Sequence, residues 1–228
     1  MEKIIAQVKT WELLAKLPVE FSGFTLNLEL QERGIQYCIF TYQNKEWHKS
    51  FSVLYDKATK EFLARTVVGL TEYFDVNFIV GDMGLLEKLL ITRLKETLLS
   101  LAVFNPDNLG SIIIDKQILE WPYGKELPQE LVGFELFIKP SALVKTINGS
   151  YIIIDYCDFS NESSLVIYYN IFRDEFFAEA RIRRTPQMSA VFDATTLDKL
   201  QENIEIHLKV VLESIRNQLG EPDLCKNS

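Results

Sequence analysis

The sequence predicts two tandem α+β units, each an antiparallel sheet closed by a C-terminal amphipathic helix. Three observations carry the prediction. Strand-length segments of alternating or wholly apolar residues are separated by short turn sequences. A long stretch of helical periodicity follows the last strand in each half of the chain. The two halves also match one another: residues 37–101 laid over 151–215 without a gap share 15 identities in 65 positions. These include Tyr37 with Tyr151, Tyr42 with Tyr156, Tyr55 with Tyr169, Glu61-Phe62 with Glu175-Phe176, Phe78 with Phe192, Leu94-Lys95 with Leu208-Lys209 and Leu98 with Leu212. Upstream, Leu17-Pro18 and Gly23-Phe24 match Leu127-Pro128 and Gly133-Phe134 at an offset four residues shorter, which puts an insertion in the first hairpin of the second half, where loops tolerate length changes. The expected organisation is a tandem duplication, with a first repeat over 1–103, a linker over 104–110 (FNPDNLG) and a second repeat over 111–220.

The first repeat opens with a helical pattern near 3–16, in which Ile4, Val8, Trp11, Leu14 and Ala15 recur before Pro18. Strands are predicted at 24–30, 35–42, 49–56, 61–68 and 75–80, with QERG and ATK as turns. After Gly81-Asp82 the period becomes helical, and Leu86, Leu89, Leu90, Leu94, Leu98 and Leu101 share one face with Asp82 as the N-cap. In the second repeat, SIIIDKQILEW (111–121) reads as a strand. VGFELFI, SYIIIDY after the Asn148-Gly149 turn, SLVIYYNI, EFFAEARI and MSAVFD then follow as strands. Thr195 or Thr196 caps a final helix whose buried side is Leu197, Leu200, Ile204, Leu208, Val211, Leu212, Ile215 and Leu219, with Gly220 and Pro222 as its stop.

One helix covers one side of a sheet, yet several strands are apolar on both. Tyr37 and Ile39 alternate with Cys38, Phe40 and Tyr42, and Leu165, Ile167 and Tyr169 alternate with Val166 and Tyr168. The second faces are therefore expected to pack the repeats together, with a homodimer or a ligand cleft as the alternatives.

Composition narrows the function classes. The 15 Phe, 9 Tyr and 3 Trp favour strands and a large aromatic core. A net charge of -8 argues against nucleic acid, and Arg181, Arg183 and Arg184 are the one short basic cluster. No run of apolar residues is long enough to span a membrane, and the N-terminal segment lacks a leader's apolar core. Three scattered cysteines, Cys38, Cys157 and Cys225, fit a reducing, cytoplasmic compartment.

Residues with chemical potential are sparse. His48 lies in the polar connection NKEWHK, and His207 replaces Arg93 in the repeat alignment. Neither accompanies a nucleophile elbow. Cys157 follows Asp155-Tyr156 and is the cysteine positioned to approach a pocket. The group Asp155, Asp158 and Glu162 is the densest acidic spacing and carries the metal-assisted hydrolase alternative, but no recognised metal or nucleotide motif is present. Gly81-Asp82-Met83-Gly84 reads as helix capping. No cofactor and no metal is expected.

The fourth strand of the second repeat brings Glu175, Phe177, Glu179, Arg181 and Arg183 to one parity. The first-repeat counterparts include Arg65, Val67 and Gly69, so the two faces differ chemically. Tyr168 and Phe177, opposite the side the final helix covers, are the expected aromatic contacts, with Arg181 and Arg183 as a charged rim. The function expected is a non-enzymatic protein-interaction or chaperone-like adaptor module for a protein or peptide partner. The alternative is a small-molecule binder with a cleft between the repeats.

Overall fold

The computed structural model describes residues 1–220, so Pro222 and Cys225 lie outside the described residues. The chain divides into two units, Met1–Asn105 and Pro106–Ser228, with the boundary inside the predicted linker. It is an α+β chain with two antiparallel sheets and a C-terminal helix. Among the described residues, no helix is long and apolar enough to cross a membrane.

In the N-terminal unit, the helical pattern at 3–16 resolves into α1 (Glu2–Lys9) and α2 (Leu13–Lys16). The break comes at Thr10, whose hydroxyl donates to the Ala6 and Gln7 carbonyls while Trp11 turns inward and its indole N–H meets Glu87 at 2.8 Å. The sheet is a meander in chain order: β1 (Glu20–Phe21), β2 (Phe24–Arg33), β3 (Gln36–Asn44), β4 (Lys49–Asp56), β5 (Glu61–Val68) and β6 (Thr71–Phe74). The segment expected as a strand at 75–80 is a short 3-10 helix, Val76–Phe78, because Asp75 accepts the Asn77 backbone N–H and winds the chain. The strand is the preceding β6, and only Val80 bridges back to Phe62. The helix α3 (Met83–Ala102) is capped by Asp82, which accepts from Leu85 N at 2.9 Å. Its Leu86, Leu90, Leu94 and Leu98 join a core with Phe24, Phe51, Val53, Phe62 and Phe78.

In the C-terminal unit, the predicted strand at 111–121 is helical at its start, as α4 (Ser111–Asp115), and α5 (Pro122–Glu126) follows it. Its isoleucines pair with no strand, and Ile112 and Ile114 are exposed. Ile113, Ile118 and Trp121 are buried, the last two standing 110 positions after the buried Val8 and Trp11. Then come β7 (Glu130–Leu131), β8 (Phe134–Ile138), β9 (Val144–Lys145), β10 (Ser150–Asp158), β11 (Ser163–Asn170), β12 (Glu175–Ile182) and β13 (Thr185–Met188). The sheet runs β13-β12-β11-β10-β8-β7, with β9 paired to β10 in the loop that makes this unit's first hairpin longer. MSAVFD contributes only its first residue to β13 and otherwise carries a 3-10 helix, Ala190–Phe192, the counterpart of Val76–Phe78. The final helix α6 (Leu197–Gly220) is held at its start by Thr196, whose hydroxyl accepts from Lys199 N, and it buries Leu200, Ile204, Leu208, Leu212 and Ile215.

Every element from β3 to the start of α3 recurs 114 positions later, from β10 to the start of α6. Finer details recur too. The ladder slips at Ile39 and again at Ile153. Backbones with positive φ pair as His48 with Glu162 and Lys60 with Asp174. Tyr42 donates to the Pro18 carbonyl at 2.6 Å, as Tyr156 does to that of Pro128 at 2.8 Å. Tyr42→Phe and Tyr156→Phe should each lower stability by about 1 kcal/mol, since each removes one hydrogen bond to a partly buried carbonyl. Urea unfolding checks the size, and a loss from only one variant would show that the two turns are held differently.

The bulges have a further effect. An extra residue in β3 and β10 reverses the alternation beyond it, so Phe40 and Tyr42 return to the helix-covered side with Tyr37, correcting the simple alternation read from sequence. In β10, Tyr151, Ile154 and Tyr156 pair with Tyr169, Ile167 and Leu165 beneath α6, while Ile152, Asp155 and Cys157 fall on the other face.

Candidate functional site

That second face of the C-terminal sheet is built from three cross-strand rows. The register sets Ile152, Tyr168 and Phe177 side by side, then Ile138, Asp155, Val166, Glu179 and Met188, then Glu130, Glu135, Cys157, Ser164, Arg181 and Pro186. Strand alternation aims all of them to one side.

Tyr168 and Phe177 are direct cross-strand partners, their rings stacked at 5.0 Å and 13°. Arg181 donates from Nη2 to the Tyr168 hydroxyl at 2.7 Å and to Glu179 Oε2 at 2.9 Å, and the Tyr168 hydroxyl donates to the same carboxylate at 3.2 Å. Three of the four predicted site residues are thus brought together, though not as an exposed anchor with a solvent rim. Tyr168 is 6 % exposed, and the Arg181 side chain 12 %. Burial, the largest influence on Tyr168, holds its phenol well above the ordinary value. Phe177 is half-buried and lies under the Arg173 guanidinium at 5.9 Å.

Arg183 stands apart from the other three. It lies beyond the end of β12 with φ 48, which ends the alternation that would have set it beside Arg181, and its guanidinium turns to the Leu219 carbonyl on α6 at 3.3 Å. The parity reading failed there because it assumed extended backbone for one residue too many. Glu175, also read into this face, pairs with Arg173.

The most unusual group on the face is Asp155. It has no solvent exposure, and no N–H or O–H donor reaches either carboxylate oxygen, which leaves the Cys157 thiol, a weak donor, as its hydrogen-bonding neighbour. Desolvation pushes its pKa up to about 7, with the neighbouring Cys157 thiol and the Arg181 charge drawing it back only part of the way. Ser164 Oγ, in the adjacent row, is buried without a partner. Native folds leave few such groups unsatisfied.

Comparison of the chain with protein-family models, curated proteins and solved structures found no match. The site is therefore read from its own geometry.

Beside the β7-β8 edge of this sheet lies an open pocket of about 440 Å³, lined among others by Glu130, Gly133, Glu135, Cys157, Asp158 and Phe159. Cys157 does line a pocket, formed within this unit. The acidic trio Asp155, Asp158 and Glu162 is not brought together: Asp158 is held by Ser160, Asn161 and Arg216, and Glu162 by Arg184, while Asp155 faces the other side of β10. Among the described residues, no group of three metal-ligating side chains converges. His48 is an exposed turn residue with φ 49, and His207 packs edge-on to Phe192 at 6.4 Å. Cys38 and Cys157 are both buried thiols.

The counterpart face of the N-terminal sheet is chemically different. Leu54, Leu63 and Val67 occupy the positions of Tyr168, Phe177 and Arg181. Its polar groups include Thr41, which donates to Ser52 at 2.8 Å and lies 2.5 Å from Glu29, and Arg65 beside Ser52, its Nε buried without a partner. Sequence reasoning grouped Asp155 with Asp158 and Glu162 and did not place it on this face, because the bulge at Ile153 decides its side. It also missed Glu130 and Glu135, whose pairing depends on a two-residue edge strand.

Proposed function

We propose that this chain is a tandemly duplicated, non-enzymatic binding module of the cytoplasm, an adaptor that holds a protein or peptide partner through the second face of its C-terminal sheet. The observation that carries the reading is the unequal chemistry of two otherwise matching faces. One sets Leu54, Leu63 and Val67 beside a polar row of Thr41, Ser52 and Arg65, whereas the other holds a stacked Tyr168–Phe177 pair, an Arg181–Glu179–Tyr168 network and the buried carboxylate of Asp155. A stacked aromatic pair tied into a charged network, absent from the matching face, fits recognition better than stability. Common descent of the two units by duplication belongs to this reading, supported by the recurrence of bulges, positive-φ turns and tyrosine–proline hydrogen bonds.

Within that face the buried Tyr168 and Arg181 act as support, and the half-buried Phe177 is the contact residue. Phe177→Ala should weaken a partner purified from native lysate by about 2 kcal/mol or more. Arg183→Ala, outside the network, should cost less than about 1 kcal/mol. The measurement is a quantitative binding titration alongside thermal unfolding of each variant. A folded Phe177→Ala variant that binds its partner as tightly as the parent chain would remove the support for an adaptor face. The pocket at Cys157 would then favour the second reading, a small-molecule binder.

A further inference from the structure

The C-terminal sheet ends on a strand whose outer edge is chemically incomplete. β13 pairs with β12 on one side, and among the described residues no strand follows on the other. All four of its residues are exposed, Met188 at 72 %. An open edge of this kind offers backbone N–H and C=O groups to any strand that approaches, a second copy of the same chain included. At the opposite end of the sheet β7 is only two residues long and gives an added strand little to pair with.

Which groups face outward on β13 follows from the ladder. The turn before it has positive φ at both central residues, 48 at Arg183 and 66 at Arg184, so the two-residue hairpin closes on the Ile182–Thr185 pair. Further along, the Ser189 N–H donates to the Ala178 carbonyl at 3.0 Å. Bonded and non-bonded pairs alternate in an antiparallel ladder. The pairs Ile182–Thr185, Ala180–Gln187 and Ala178–Ser189 therefore turn their backbone groups towards each other, while Arg181–Pro186 and Glu179–Met188 turn theirs away. The outward positions of β13 are Pro186 and Met188. Pro186 has no N–H, and its ring stands where the hydrogen would be, so the edge lacks a donor where an added strand needs one.

The fold does not demand a proline at this place. In the N-terminal unit the terminal strand β6 is built alike, with Val68 opposite Thr71 and the Asp75 N–H donating to the Ala64 carbonyl at 2.8 Å. The outward position 114 residues before Pro186 is Glu72, which keeps its N–H and sets a charge on the edge. Two matching edges thus carry two different obstacles to strand addition.

We infer that Pro186 guards the edge of the C-terminal sheet, closing β13 to pairing with β13 of a second copy of this chain. The inference concerns the edge and not the face, so it stands whether or not the face holds a partner.

The test compares the ¹⁵N-labelled full chain with Pro186→Thr and Pro186→Ala, both of which restore the missing N–H, over a dilution series followed by amide shifts and sedimentation velocity. Each variant should self-associate at least about ten-fold more tightly than the parent chain, with concentration-dependent shifts centred on the amides of Gln187 and Met188. Pro186→Thr/Met188→Lys should return to the parent's behaviour, because a lysine on an edge opposes strand pairing. Thermal unfolding of each variant identifies any that fails to fold, and the alanine variant serves if the threonine variant does. Self-association equal to the parent's in a folded variant overturns the guard. So does association that survives Met188→Lys, or shifts that lie only away from β13.

Discussion

Asp155→Asn should flatten the pH dependence of stability more than any other single substitution in this chain. The folded-state pKa of Asp155 stands near 7 against an ordinary 3.8. Below about pH 3.8 the carboxyl is neutral both folded and unfolded, and it contributes no pH dependence. As pH rises from there towards 7, the unfolded chain releases its proton while the folded chain retains it, so stability falls, and above about 7 the loss is complete. The gap corresponds to a decline on the order of 4 kcal/mol across that window. Asparagine removes the titration but leaves an unpartnered amide in the same place, itself costing about 1 to 3 kcal/mol. The decisive quantity is therefore the slope and not the stability at one pH. Urea unfolding of parent and variant from about pH 4 to about pH 8 measures it. Parallel curves would mean that Asp155 finds a stronger donor or solvent and that the raised pKa is wrong.

The same residue marks how far the sequence could be read. The strands at 49–56, 61–68, 163–170 and 175–182 and both long helices were legible because periodicity, turn residues and repeat alignment agreed. The α+β class followed from them. Segments where local chemistry competes with periodicity were not legible: Asp75 turns an apolar strand-like run into a 3-10 helix, and Ile112, Ile113 and Ile114 lie in a helical turn although their β-branching suggests a strand. The binding face was half legible. Parity placed Tyr168, Phe177, Glu179 and Arg181 together, since β11 and β12 pair without interruption. It could not place Asp155 beside them, because a bulge at Ile153 is a property of the β10–β11 ladder and not of the residue pattern. Nor could it detach Arg183, whose positive φ carries no glycine signal.

Arg216→Ala is the second substitution expected to act strongly, through a carboxylate three residues from Asp155 with the opposite behaviour. Arg216 pairs with Asp158 at 2.6 Å, donates to the Val132 and Gly133 carbonyls and lies over the Phe134 ring at 4.6 Å. It thereby ties the end of α6 to the β7-β8 turn. Gly133 has φ 74, and a Cβ there would meet the guanidinium at 2.8 Å, so the close approach needs glycine. Burial alone would raise the Asp158 pKa. Hydrogen bonds from Ser160, Asn161 and Arg216 more than reverse this, to about 2. A depressed carboxylate stabilises the fold above its ordinary pKa and loses that contribution as pH falls from about 3.8 towards 2. Breaking a fully buried pair costs about 3 to 5 kcal/mol. The Arg216 side chain is 33 % exposed and Asp158 keeps its Ser160 and Asn161 bonds, so about 2 to 3 kcal/mol is expected at neutral pH. Arg216→Lys should recover only part, because a lysine supplies the charge without the fork that reaches two carbonyls. The N-terminal unit holds its equivalent turn differently, with the Asn44 amide donating to the Gly23 carbonyl at 2.8 Å and the Trp47 ring packed against Gly23. Native-state hydrogen exchange should therefore show protection lost along β8 and β10 and kept along β2 and β3. Equal loss in both units would mean that the clamp supports the whole chain, and no loss in either would mean that Asp158 needs only its loop partners.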